Sequence, residues 1–136
     1  MSERTSFLAR LLGLYCLLAA LALLVQRDAW VAAVAATVHD PAVMLILGTV
    51  VVAAGLALVL AHNVWSGGAL PVVVTVIGWL TLLKGVVLWL LPPQAAADFY
   101  LGRLHYAQLY PVYGAVSLVI GLYLTVAGFR SSRGGR

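Results

Sequence analysis

Four apolar runs, each of about twenty residues and almost free of charge, dominate this 136-residue chain. A helix rises 1.5 Å per residue, so about twenty residues cross the roughly 30 Å of hydrocarbon in a bilayer. The runs cover residues 7–25, 42–61, 70–91 and 111–129. Only 9% of the chain is charged, against about a quarter in a soluble domain. A soluble globular fold is therefore excluded. The expected architecture is all-α: one integral membrane domain over residues 1–136, a four-transmembrane-helix bundle with short interfacial helices in the two outer connections.

Those interfacial segments are expected at 28–40 and 95–108, with a basic tail at 130–136. Asp28 suits the start of the first one. Asp40 followed by Pro41 reads as an N-cap and first helical residue, a stop and restart before the second span. Gly67 and Gly68 supply a tight turn between the second and third spans, which must form a hairpin. Pro92 and Pro93 close the third. Phe99, Tyr100, Tyr106 and Tyr110 suit a headgroup layer. The N-terminal run resembles a secretory signal, but Gln26, Arg27 and Asp28 stand where a cleavage site would be, so it is read as a retained helix.

The net charge of +4 comes mainly from the ends. Arg4, Arg10, Arg130, Arg133 and Arg136 fall on one side, whereas the outer connections carry only Arg27 and Arg103. By the positive-inside rule both termini are cytoplasmic, and the Ala, Val, Leu, Gly and Arg bias suits a bacterium, hence an inner membrane. No basic stripe interleaved with aromatics exists, so nucleic acid is not an expected partner. Cys16 is alone, which excludes an intrachain disulfide.

Glycines recur at sevens: Gly48 and Gly55; Gly78 and Gly85; Gly114, Gly121 and Gly128. Seven residues is nearly two turns, so each set forms a smooth stripe for close helix packing. A weak tandem repeat accompanies them. A shift of 66 residues lays His39 on His105, Gly48 on Gly114, Gly55 on Gly121 and Leu58 on Leu124, although Pro41 and Pro111 fall out of register. Both halves would enter the membrane in the same direction, related by an axis along its normal.

Lys84 is the lone charge deep in a span, where a lysine costs about 3 kcal/mol on insertion scales. Either it snorkels to the outer interface, toward Asp98 or Asp40, or it marks an ion, proton or anionic headgroup site with Thr81 one turn away. Trp79, near the middle of the third span, needs a partner for its indole N–H. His39 and His105 share the outer side and offer two imidazoles to a haem or metal; the simpler reading ties each to backbone or headgroups. No catalytic motif is present, so no enzyme and no cofactor are expected.

The run His62-Asn63-x-Trp65, Pro71, Thr75, Gly78-Trp79-Leu80, Leu83-Lys84-Gly85 and Pro92 is similar to a pattern in small, uncharacterised bacterial four-helix inner-membrane proteins. The resemblance brings no activity or cofactor; it implies only that this hairpin, with Lys84, Thr81, Trp79, His62 and Asn63, deserves first scrutiny. Three functions fit these residues. The leading expectation is a homo-oligomeric channel or transporter. An accessory or scaffold subunit, with another membrane protein as partner, is the alternative, and a haem-, metal- or quinone-binding redox protein ranks third.

Overall fold

The computed structural model describes residues 2–133, so the end of the basic tail lies outside the described residues. Helices account for nearly all of them: α1 (Glu3–Val25), α2 (Arg27–His39), α3 (Pro41–Ala61), α4 (Ala69–Leu90), α5 (Pro93–Ala97), a π-helical turn (Asp98–Arg103) and α6 (Tyr106–Arg133). α1, α3, α4 and α6 are long and apolar enough to cross a membrane. The chain is thus an all-α, multi-pass membrane protein.

Local chemistry sets the boundaries. The Ser2 side chain accepts from the Thr5 N–H and starts α1 at Glu3. Asp40 accepts from the N–H groups of Ala42 and Val43, with Pro41 in the first turn of α3, as the dipeptide implied. At α2, Asp28 stands inside the first turn and does not cap it. The segment expected as one interfacial helix over 95–108 is instead divided. α5 gives way to the π turn, the chain breaks at His105 with φ of 45°, and α6 begins at Tyr106. The His105 carbonyl accepts from Gln108 and Leu109, which starts α6 five residues before Pro111. Pro111 therefore lies inside the helix, where it removes one backbone donor.

The spans pack as two pairs, α1 with α6 and α3 with α4, so one hairpin is nested within another. In each pair glycines let the backbones meet. A Cβ on Gly55 would lie 2.5 Å from the Leu82 backbone, and one on Gly85 would lie 2.6 Å from the Val52 nitrogen. Gly121 meets Leu17, Gly48 meets Trp89, Gly78 meets Leu58, Gly114 meets Leu23 and Gly128 meets Arg10. Gly13, outside the heptad stripes read from sequence, has the Thr125 backbone nitrogen 2.6 Å from its would-be Cβ.

The two pairs share one register. Gly13 against Thr125 corresponds to Gly78 against Val59, Leu17 against Gly121 to Leu82 against Gly55, and Leu24 against Gly114 to Trp89 against Gly48. α1 maps onto α4 at a spacing of 65 residues and α3 onto α6 at 66. α2 falls on α5 and the π turn. The packing register of the two pairs therefore follows the parallel repeat read from sequence.

Two clusters form the core, and the first joins the two halves. At the end holding the termini, Leu8, Ala9 and Leu12 of α1 pack with the equivalent Val73, Val74 and Ile77 of α4, flanked by the equivalent pair Leu58 and Leu124. At the other end Val38, Met44, Leu88 and Ala96 gather with Leu91, Ala97, Tyr100 and Leu101. This second cluster takes nothing from α1 or α6. Burial there pushes the Tyr100 phenol above its ordinary range.

Candidate functional site

The residues singled out on the α3–α4 hairpin separate into two places. The first is the connection itself. α3 stops at Ala61, where His62 turns extended, and α4 overhangs that end by two turns. The chain runs back beside the overhang until Gly67 and Gly68, at φ of 89° and 114°, reverse it. Such positive φ values favour glycine, since a Cβ there is strained.

This extended segment has no helix to satisfy its backbone, and Thr75 substitutes for one. Its fully buried hydroxyl donates to the Val64 carbonyl at 2.9 Å and accepts from the Val64 N–H at 3.0 Å. His62, 4% exposed, places Nε2 3.2 Å from the Pro71 carbonyl. A carbonyl only accepts, so Nε2 carries the proton. Asn63 Oδ1 accepts from both Trp65 Nε1, at 2.8 Å, and Trp79 Nε1, at 3.4 Å. Trp79 thus finds the partner its depth demanded, and His62, Asn63 and Trp79 do come together. Their hydrogen bonds turn inward on one another, which makes the cluster a clamp on the connection.

The second place is α4 two turns further on. Thr81 donates its hydroxyl to Ile77 O of its own helix at 2.8 Å, leaving no donor for a neighbour. Lys84 is exposed. Leu70, Val74, Ile77, Thr81, Lys84, Leu88 and Leu91 follow one another at spacings of three or four and form one strip of α4. Below Lys84 the strip packs on α1; above it, the strip packs under α2 and α5. Lys84 occupies the uncovered stretch between, on a seam where the two hairpins part. Its equivalent in α1, at the repeat spacing of 65, is Ala19.

No carboxylate neutralises Lys84 among the described residues. Glu3 opens α1, and Asp28, Asp40 and Asp98 stand in the connections between spans. Among the described residues the one ion pair is Arg27 with Asp28, at 3.9 Å. Arg27 also stacks on Tyr110, with 4.6 Å from guanidinium to ring centre, and Arg10 donates to Gly128 O at 3.0 Å while lying over Phe129.

The outer histidines are each held by their own backbone: His39 Nδ1 meets Ala35 O at 2.6 Å, and His105 Nδ1 meets Arg103 O at 3.0 Å. Each ring keeps Nε2 free of that bond. Sequence reasoning did not single out Gly13 as a packing position or Thr75 as the anchor of the loop. The first was hidden by the repeat spacing, and the second by a partner that only the overhang brings near. Comparison with family models, curated proteins and solved structures finds no match for the chain.

Proposed function

We propose that the chain is a small membrane transport protein whose binding position lies at Lys84, on the interface between its two repeats. The carrying observation is the seam: the one charge deep in a span stands on the α4 strip, exposed, between two packed ends. Parallel-repeat transporters place their sites near the midplane at this kind of interface, which supports the reading by analogy. The seam is open sideways and a four-helix bundle encloses little space, so a second copy closing it makes the working unit a homo-oligomer. The excess of arginine around the termini supports cytoplasmic ends in a bacterial inner membrane. Labelling of single cysteines at Ser2 and Gly102, in a Cys16→Ser background, tests that orientation in intact cells.

Flux from purified protein in liposomes tests the function. Wild type should move solute, and Lys84→Met should lose that movement while keeping its helicity and elution volume. Equal flux from both proteins, or none from either, overturns the reading.

The accessory-subunit alternative draws on a different observation. The outer face of α3, with Ile46, Val50, Ala53, Ala57 and Leu60, is exposed along its length. Cross-linking through Ala53→Cys in native membranes would give one adduct of fixed foreign mass for a scaffold, and a ladder of self-adducts for a homo-oligomer. The redox reading would show as a visible absorption band lost on His39→Ala.

A further inference from the structure

We infer that the Lys84 seam holds an anionic membrane lipid, its phosphate paired with the ammonium and its acyl chain laid along α4. This rests on the reading of Lys84 as a binding position and names the ligand. The sign comes first. An ammonium exposed within a span requires a counter-charge, and among the described residues no carboxylate pairs with Lys84: Glu3 opens α1, Asp28 pairs with Arg27, Asp40 is engaged by two backbone N–H groups, and Asp98 starts the π turn.

Depth decides between a lipid and a free anion. Lys84 lies six residues before Leu90, about 9 Å from the end of the helix, and a lysine stem spans most of that distance. A phosphate drawn slightly below the headgroup layer meets it there. A free inorganic anion at the same spot would have to shed its water for a single donor. The Thr81 hydroxyl is spent on Ile77, and the flanking residues of α4, Leu80 and Leu83, have no polar side-chain atoms. A lipid phosphate keeps its other oxygens in the wet interface and avoids most of that cost.

The apolar surface has matching direction. From Lys84 the exposed positions Leu80 and Val76 descend at intervals of four, away from the near membrane surface and toward the bilayer centre. A lipid of that leaflet has its head outward and its tail inward, so head on Lys84 and tail along Leu80 and Val76 fit one molecule in its natural orientation.

Native mass spectrometry of the full chain released from bilayers of equal phosphatidylglycerol and phosphatidylethanolamine tests this. Wild type should retain about one phosphatidylglycerol per chain and Lys84→Arg should match it, whereas Lys84→Met should lose the preference by about fivefold to tenfold. Leu80→Trp, which keeps the charge and obstructs the tail, should weaken retention without loss of helicity. Equal retention of the two lipids by wild type, or undiminished preference in Lys84→Met, overturns the inference. Displacement of the lipid by excess inorganic phosphate also overturns it, in favour of a free-anion site. Retention with no flux in liposomes would leave the lipid site standing and remove the transport reading; flux without retention would do the reverse.

Discussion

Two threonines show how differently one hydroxyl can behave in these spans. Thr75 satisfies both backbone groups of Val64, whereas the Thr125 hydroxyl is buried beside Gly13 with no partner of its own. Leaving a buried polar group unpaired costs about 1–3 kcal/mol, and replacing a hydroxyl that has no partner removes that cost. Thr75→Val should therefore destabilise by about 1–2 kcal/mol and expose the Val64 amide to exchange. Thr125→Val, of nearly the same shape, should be neutral or stabilising by about 1 kcal/mol. Thermal melts in one detergent check both, and a destabilised Thr125→Val would show that the hydroxyl is paired. Neither role was legible in the sequence, because each depends on what another segment brings near. Lys84 was legible as a charge in a span. That it faces a seam between packed clusters follows only from the neighbours of Ile77 and Leu88.

At the level of elements, the glycine stripes were readable because helix periodicity is local, and the spans were readable because hydrocarbon thickness fixes their length. Gly13 was not readable. At a spacing of 66 it falls on Trp79, while the folded register pairs it with Gly78, so one extra residue in a connection hid the match. The interfacial segment after Pro93 was misjudged for a related reason: aromatic composition marks depth but does not show where a π turn and a left-handed His105 divide the chain. The contact distances rank the glycines. Alanine at Gly13, Gly55 or Gly85 would strike backbone at 2.5–2.6 Å, which a flexible side chain cannot relieve, and each should cost about 2 kcal/mol or more. At Gly114 the nearest atom is the Leu23 Cδ2 at 3.4 Å, an ordinary contact, so alanine there should be neutral or add up to about 1 kcal/mol of helix propensity. Melting temperatures of the four variants measured together test the order; a Gly114 variant as damaged as the Gly55 variant would contradict it.

For the whole molecule, the nesting of one pair inside the other separates two scales of contact. α3 and α4 are joined by a short connection, whereas α1 and α6 lie at opposite ends of the chain and close over everything between them. The pairs share few residues, mainly around Leu8, Val74 and Leu124. Units that are coupled weakly and packed tightly within themselves open separately. Four spans put both termini on one side, so a molecule held in a bilayer by its two ends and pulled should surrender α1 and α6 first. The α3–α4 hairpin should follow in a second step, at higher force, because its turn is clamped by His62, Asn63 and Thr75. Gly13→Leu should lower the force of the first step alone, since the leucine obstructs only the α1–α6 contact. Gly55→Leu should lower only the second. On relaxation the short-range hairpin should re-form before the long-range pair, because closing a longer loop costs more chain entropy. A single cooperative rupture, or a first step weakened by Gly55→Leu, would mean that the seam at Lys84 is held as tightly as the hairpins themselves, leaving no lateral opening through which a lipid could reach it.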